Sequence, residues 1–408
     1  MVKPGYKQTE VGVIPEKWKD KKLGDVGKVC MCKRIFANQT SNTGEVPFFK
    51  IGTFGKEADA YISKGLYEDY KQRFSYPQKG DVLISAAGTL GRTIVFEGKD
   101  AYFQDSNIVW LATDKELLCN EYLYHYYKVI KWGASEGSTI ARLYNGIICN
   151  THIALPDVEE QKQIATVLSE IDELISLTEK QISKKKAIKQ GAMQELLTGK
   201  RRLPGFSGEW ETRTLHEISN EMVDGPFGSN LKTEHYTTER QVRIIQLSNI
   251  GEAGWNNANV KYTTFSHAAE LQRCIVQPGS ILIAKMMPAG RAIICPDNEK
   301  SYILGSDVVK VVPNSSVDSR YLVYATKSRF YLDQIADDTQ GSTRARTSVS
   351  KLRKTAILFP EKDEQISIAD ILSEMDMEIA ALEGKIAKYC QIKQGMMQQL
   401  LTGKIRLV

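Results

Sequence analysis

The sequence predicts an α+β chain built by tandem duplication, in which two mixed α/β domains are joined by two long antiparallel helices, a coiled coil with pseudo-twofold symmetry. Three observations lead there. A stretch of about 40 residues occurs twice without a gap. Each copy spaces its apolar residues alternately by three and four, the pattern of a helical seam. Ahead of each copy lie short β-branched and aromatic runs punctuated by Gly, Pro and Asn, the pattern of strands and turns.

The repeated stretch runs from Gln163 to Leu203 and again from Ser367 to Leu407. Leu168 aligns with Leu372, Lys189 with Lys393 and Gly199 with Gly403, and roughly half of the aligned positions are identical. In the second copy Ile368, Leu372, Met375, Ile379, Leu382, Ile386 and Tyr389 form the seam; in the first, Ile164, Leu168, Ile171, Ile175, Thr178 and Ile182 do, before a basic run at Lys184, Lys185 and Lys186. Pro156 followed by Asp157 and Glu160 has the spacing of a capping box, and Gly199 and Gly403 suit the left-handed residue that ends a helix. Roughly 40 helical residues make a rod about 60 Å long.

A helix with an apolar stripe needs a partner. Packing of each helix on its own domain satisfies that need, and so does an antiparallel pair that joins the domains and sets their separation. Gly191 and Gly395 fall inside the helices at equivalent positions, where glycine costs about 1 kcal/mol relative to alanine. Close backbone approach by a partner explains their recurrence; a local helix break is the alternative.

The preceding segments are related more distantly. Trp18 and Leu23 answer Trp210 and Leu215; Gly80 to Ile84 answers Gly279 to Ile283, and both continue to Gly-Arg, at Gly91-Arg92 and Gly290-Arg291. Ser106-Asn107 answers Ser306-Asp307, and Gly137-Ser138-Thr139 with Arg142 answers Gly341-Ser342-Thr343 with Arg346. Val82 to Ser85, Thr93 to Phe96, Ile244 to Leu247 and Val308 to Val312 read as strands, Tyr122 to Lys131 and Tyr321 to Ile335 as helices. The expected segments are a first domain over 1–156, a helix over 157–200, a second domain over 201–360 and a helix over 361–404.

Composition sets bounds. In 408 residues, 42% hydrophobic and 25% charged, there is room for two soluble domains. No apolar run suits a membrane span or a signal peptide, so the expected compartment is the cytoplasm, with no membrane partner. A formal charge of +5 permits nucleic-acid binding without demanding it. The seven cysteines are scattered; Cys30 and Cys32 form a lone C-x-C with no second pair to complete a tetrahedral zinc site, and reduced thiols near a core are expected.

This order of variable domain, repeated helix, variable domain, repeated helix resembles the specificity subunits of type I restriction-modification systems, over essentially the whole chain. The residues that carry the resemblance are the helix ends Leu196 to Lys200 and Leu400 to Lys404, both Leu-Leu-Thr-Gly-Lys, the stretch Asp224-Gly225-Pro226-Phe227-Gly228-Ser229, and the paired Gly-Ser-Thr blocks. The resemblance implies a non-catalytic subunit whose two target-recognition domains each read one half of an asymmetric, bipartite site in double-stranded DNA. It implies helices that measure the spacer and dock two adenine-methylating (M) subunits, joined by restriction (R) subunits. S-adenosylmethionine, ATP and Mg²⁺ are then expected in the partner subunits, with no cofactor or metal in this chain.

Sequence readout needs side chains that reach base edges, chiefly Arg, Lys, Asn and Gln, with small polar groups and backbone amides on phosphates. The candidates in the first domain are Lys50, Arg92, Ser106, Asn107, Ser138, Thr139 and Arg142. Those in the second are Gln246, Lys285, Arg291, Ser342, Thr343, Arg344 and Arg346, together with the loop Gly228, Ser229, Asn230 and Lys232, where glycine lets backbone approach a phosphate. A turn carrying a solvated arginine has the same signature as the Gly-Arg pairs. Tyr61, Tyr67, Tyr70 and Phe74 read as core residues rather than stacking platforms.

Catalytic motifs are missing. There is no Asn/Asp-Pro-Pro-aromatic motif of an adenine methyltransferase, and Gly52 to Glu57 lacks the spacing and the Ser/Thr of a phosphate loop. Pro296 to Lys300 holds the letters of a nuclease site too tightly to surround a metal, and the five histidines show no metal spacing. Two other readings remain at this point: a free-standing DNA-binding regulator, distinguished by tight binding without methylating subunits, and a protein-assembly scaffold, which a two-block recognition sequence would oppose.

Overall fold

Strands buried at every residue must be covered on both faces, and Val82–Ser85 and Ile281–Ala284, at the centres of the two main sheets, are of that kind. The computed structural model describes residues 2–133, 142–339 and 346–407. It is a mixed helix and sheet structure with two compact units, one of residues 1–179 with 384–408 and the other of residues 180–383. The division therefore crosses both long helices, Val158–Leu196 and Lys362–Leu400.

In unit 1 an antiparallel sheet has the strand order Gly27–Cys30, Ile108–Thr113, Val82–Ser85, Thr93–Val95. Side chains alternate across it. Val82, Ile84, Val109 and Leu111 enter a core shared with the short helix Asn120–Tyr127 and with Ile164, Ala165 and Leu168 of the first long helix. Leu83, Ile108 and Trp110 enter a second core beneath a smaller sheet, in which Val46–Phe49 pairs parallel with Tyr102–Phe103. Tyr67, Tyr70 and Phe74 pack with that second core or with each other.

Unit 2 repeats the plan. Its antiparallel sheet runs Ser219–Asp224, Val308–Pro313, Ile281–Ala284, Ala292–Ile294. Ile281, Ile283, Val309 and Val311 face the helical core; Leu282, Ala284 and Val308 face the core under the smaller sheet, where Val242–Ile245 pairs parallel with Tyr302–Leu304. A two-stranded pair closes each unit at the start of a long helix: Lys19–Lys22 with His152–Leu155, and Glu211–Thr214 with Ala356–Phe359.

Each unit takes the first turns of one long helix and the last turns of the other. Unit 1 buries Leu168 with Met397, Leu400 and Leu401; unit 2 buries Leu372 with Leu196 and Leu197. Within each unit the two segments run in opposite directions. Lys189 pairs with Asp376 at 2.5 Å and Lys185 with Glu378 at 2.5 Å in unit 2, and Lys393 pairs with Asp172 in unit 1. The seam residues Ile171, Thr178, Ile182 and Ile379 are buried.

Several local readings change. Asp157 does cap the first helix by accepting from the Glu160 amide at 2.9 Å. The Glu160 carboxylate does not close a capping box; it is fully buried, accepting from the Trp18 indole and the Arg406 guanidinium. Glu364 repeats this with Trp210 and Arg202. The stretch Tyr321 to Ile335 is two helices, Ser319–Ala325 and Arg329–Thr339, because the Ser328 hydroxyl accepts from the Tyr331 amide and starts a new one. Gly199 and Gly403 end their helices at φ +69° and +67°, as expected. Gly191 and Gly395 lie in unbroken helix, and a Cβ added at either would meet nothing within 4 Å. The break is therefore ruled out, and no described atom of this chain explains the glycines.

Two stability outcomes follow. The buried Gln161 amide donates to the carbonyls of Leu117 and Pro156 and accepts from the Cys119 amide, all within 3.0 Å. Gln161→Leu strands three backbone groups, and urea unfolding of the chain should show a loss of about 3 kcal/mol. His125 is fully buried against Ser169, and burial first, then the Lys128 charge, pushes its imidazole down to about 4 from an ordinary 6.5, Asp172 opposing. Between those values the unfolded chain binds the proton and the folded one does not, so stability falls as pH falls through the window, by up to about 1.4 kcal/mol per pH unit. His125→Gln should flatten that slope; an unchanged slope in urea titrations from pH 6.5 to 4.5 would show that the imidazole is not responsible.

Candidate nucleic-acid interface

The loops at the ends of the central strands carry most of the expected site residues, and in unit 1 they converge. Ser85 continues into a hairpin whose Gly91 amide returns to the Ser85 carbonyl. Arg142 pairs across to Ala87 in an isolated β-bridge, which aims its guanidinium at Ser106 and Asn107. One nitrogen, Nη2, donates to Ser106 Oγ at 2.9 Å, the Ser106 carbonyl at 3.2 Å and Asn107 Oδ1 at 3.3 Å. Ser106 holds this position at φ +53°.

These residues border an open groove of about 470 Å³ that also receives Arg34, Phe36, Lys50 and Gln104. Two of its cations are exposed and have acidic partners: Arg34 with the half-buried Asp105 at 2.9 Å and Lys50 with the exposed Asp59 at 2.8 Å. Exposed pairs of this kind are worth at most about 1 kcal/mol, so a phosphate or a base edge can replace the acid. Arg92 does not line the groove. Its Nη1 donates to the Phe54 carbonyl at 2.8 Å and braces the neighbouring loop.

Unit 2 uses the same frame with different chemistry. Arg346 bridges to Met286, and its Nη2 meets Asp307 Oδ1 at 2.7 Å, a carboxylate where unit 1 has the Asn107 amide. Arg291 reaches the Ile250 carbonyl at 3.4 Å, the bracing part that Arg92 plays in unit 1. Lys285 lies below the surface rather than on it. Its ammonium is held by Asp224 Oδ1 at 2.5 Å, so it supports the Asp224 loop and does not project toward a ligand. Gln246 is half-buried, and its backbone N–H donates to Asn249 Oδ1 at 2.8 Å.

The loop with Gly228, Ser229, Asn230 and Lys232 is exposed or half-exposed. The Asn230 amide returns to the Phe227 carbonyl at 2.7 Å, and His267 Nε2 donates to the Asn230 carbonyl at 2.9 Å. His267 in turn stacks on His235, centroids 4.1 Å apart, whose Nδ1 accepts from the Lys232 amide. Ser138, Thr139, Ser342, Thr343 and Arg344 lie outside the described residues.

Sequence reasoning missed Arg34, Phe36 and Gln104, which carry no repeat signal, and Asp224 and His267, whose parts depend on distant partners. Among the described residues no cluster of three or more His, Cys, Asp or Glu could hold a metal, and no helix is long and apolar enough to cross a membrane. Cys32 is buried, which pushes its thiol up to about 12.

Comparison with known proteins decides the family. The sequence pattern of the type I restriction modification DNA specificity domain matches residues 15–186 and again residues 208–389, once for each repeat. The chain belongs to this family. As a specificity subunit it is a recognition chain and not a catalyst.

Its relatives agree over different spans. A Haemophilus influenzae protein provisionally named a type I restriction enzyme specificity subunit is 56% identical over 158 residues, which is 38% of this chain and 41% of that one. The type I restriction enzyme MjaVIII specificity subunit of Methanocaldococcus jannaschii is 24% identical over 97% of this chain and 94% of its own length. The S subunit of a type I restriction-modification system from M. genitalium shares the fold, with a TM-score of 0.61 and 15% identity over 97% of this chain and 98% of that one. A chain from a structural study of complex assembly and conformational transition in the type I system has a TM-score of 0.57 and 16% identity, covering 96% and 99%.

The geometry makes one outcome specific. Arg142 is oriented at the groove by neutral acceptors. Arg142→Ala should weaken binding to duplex DNA by about 1–3 kcal/mol and relax base preference at the positions it contacts, read by competition binding with singly substituted duplexes.

Proposed function

We propose that this chain is the DNA-reading subunit of a type I restriction-modification complex, in which each unit reads one half of an asymmetric, bipartite site in double-stranded DNA. The observation that carries the reading is the repeated arginine platform. Arg142 on Ser106 and Asn107, and Arg346 on Asp307, stand at equivalent loops of two units with equivalent cores. One chain with two such sites of different chemistry fits a target of two different halves.

The two long helices then act as an antiparallel coiled coil that sets the spacer between the halves. They also dock two adenine-methylating subunits, one on each repeat, with restriction subunits joining that core. Gly191 and Gly395 support the docking role. They are identical in both repeats, exposed, and unexplained by any described neighbour, as expected where a partner's backbone comes close. S-adenosylmethionine, ATP and Mg²⁺ belong to the partner subunits in this proposal, and the complex works in the cytoplasm.

Methylome sequencing of cells carrying this chain with its cognate methylating subunit tests the reading: a two-block motif with a fixed unspecified spacer is expected, and a continuous motif or none would refute it. Inserting seven residues after Ile182 and after its counterpart Ile386 adds about 10 Å of helix and should lengthen the spacer by about three base pairs. Gly191→Leu and Gly395→Leu should leave the isolated chain at least as stable, since glycine costs about 1 kcal/mol in a helix. Each should also reduce the number of methylating subunits that co-purify; full occupancy of both would remove the glycines from the interface.

A further inference from the structure

Phe227 and Met287 are the two most exposed large apolar side chains among the described residues, at 82% and 75%. They stand on two loops that leave from one point. Asp224 and Lys285 are joined by the 2.5 Å ion pair, Phe227 follows Asp224 by three residues, and Met287 follows Lys285 by two.

Both loops are braced, so the exposure is built in. The Gly225 amide donates to the Val308 carbonyl, and a Cβ on Gly225 would sit 1.9 Å from the Gly305 carbonyl oxygen. The Phe227 loop is thereby pressed against the backbone that leads to Asp307. Beyond Phe227 the chain is fixed by the Asn230 amide and by His267. Met287 has φ +58°, a left-handed conformation that side-chain-bearing residues rarely adopt, and Met286 is tied to Arg346 by the β-bridge. Strain held in place by its surroundings points to a function for the residue displayed.

The surroundings indicate what the two side chains meet. Gly228, Ser229, Asn230 and Lys232 follow Phe227 on its loop and are exposed, and Arg346, bridged to Met286 and paired with Asp307, stands beside the Met287 loop, so both loops carry polar and cationic groups. Two apolar side chains in a basic, polar rim are far too little area for a stable protein contact. They suit a DNA duplex, whose base stack offers apolar surface inside a charged backbone, and Phe, Met and Pro are residue types that wedge between base steps. Pro288, next to Met287, is exposed as well, whereas Pro226, before Phe227, is buried and anchors its loop.

We infer that Phe227 and Met287 form an apolar wedge that enters the duplex at the half-site read by unit 2 and parts one base step. The inference rests on the DNA-reading role proposed above. Arg346 and Lys232 hold the phosphates on either side while the wedge tests how easily the step unstacks. Specificity at that step then comes from deformability as well as from base-edge contacts.

The test uses the complex of this chain with its methylating subunits and duplexes carrying the two-block site found by methylome sequencing. 2-Aminopurine replaces each purine of the unit 2 half-site in turn. The wild-type complex should raise fluorescence several-fold at one step besides the methylated adenine. Phe227→Ala with Met287→Ala should abolish that rise and weaken binding roughly tenfold, while the signal at the methylated adenine persists; Phe227→Trp should keep it. A half-site with no fluorescent step besides the methylated adenine overturns the wedge, as does a rise unchanged in the double variant. Loss of methylating subunits from the double variant would instead assign the pair to a protein contact. Failure of the DNA-reading role is seen separately, as the absence of any two-block motif.

Discussion

The fold depends on two buried carboxylates that have no water to turn to. Glu160 and Glu364 open the two long helices, and each is fully buried. Removing a carboxylate from water costs on the order of several kcal/mol unless a cation and further donors meet it. Here both conditions hold: an arginine approaches each through two nitrogens, and a tryptophan indole adds a third donor. Neither arginine comes from the helix that carries the carboxylate. Arg406 follows the second helix and serves Glu160; Arg202 follows the first and serves Glu364. A unit is therefore incomplete until the tail of the opposite helix has arrived, and the tandem duplication supplies that tail within one chain.

That dependence explains what the sequence made legible and what it hid. The repeat was visible because the interlocking residues must match in both copies: Trp18 with Trp210, Glu160 with Glu364, Gln161 with Gln365 and Arg202 with Arg406 occupy equivalent places. The helices and the central strands were visible because their periodicities are set by burial. The part played by Glu160 was not, since spacing to Asp157 suggested a local cap while its partner lies 246 residues away. The break within Tyr321 to Ile335 was hidden for the opposite reason: a single serine hydroxyl decides it, against a continuous apolar pattern.

For the candidate interface, sequence reasoning proposed loops that the structure brings together in unit 1, and it misjudged the placement of some side chains. Arg92 and Arg291 were picked because they recur, and they recur because both brace a loop by a carbonyl. Lys285 looked like a projecting cation and is instead a buried partner of Asp224, while its structural counterpart in unit 1 is Ala86, whose amide bonds the Asn107 carbonyl as that of Lys285 bonds Asp307. Residues without a counterpart, such as Phe36 and Phe227, gave no repeat signal at all. Recurrence reports what the frame needs, and a reading surface is where the two halves are free to differ.

This division of labour follows from where the energy lies. The cores of both units are made largely by alternating strand residues and helix ends, and in unit 1 only the margin of the second core, at Ile35, Phe48 and Ala60, reaches the groove. Exchanging Asn107 for Asp307 beneath the arginine changes the charge presented to a ligand and leaves the β-bridge that aims the arginine in place. Polar substitutions at the surface shift stability by only about 0.5 kcal/mol, so the exposed residues of these loops can vary without endangering the fold. The helices have no such freedom, because each must satisfy a carboxylate in one unit and deliver an arginine to the other. The two units of this chain illustrate the result: one doubly tied frame occurs twice, and the loops it carries differ.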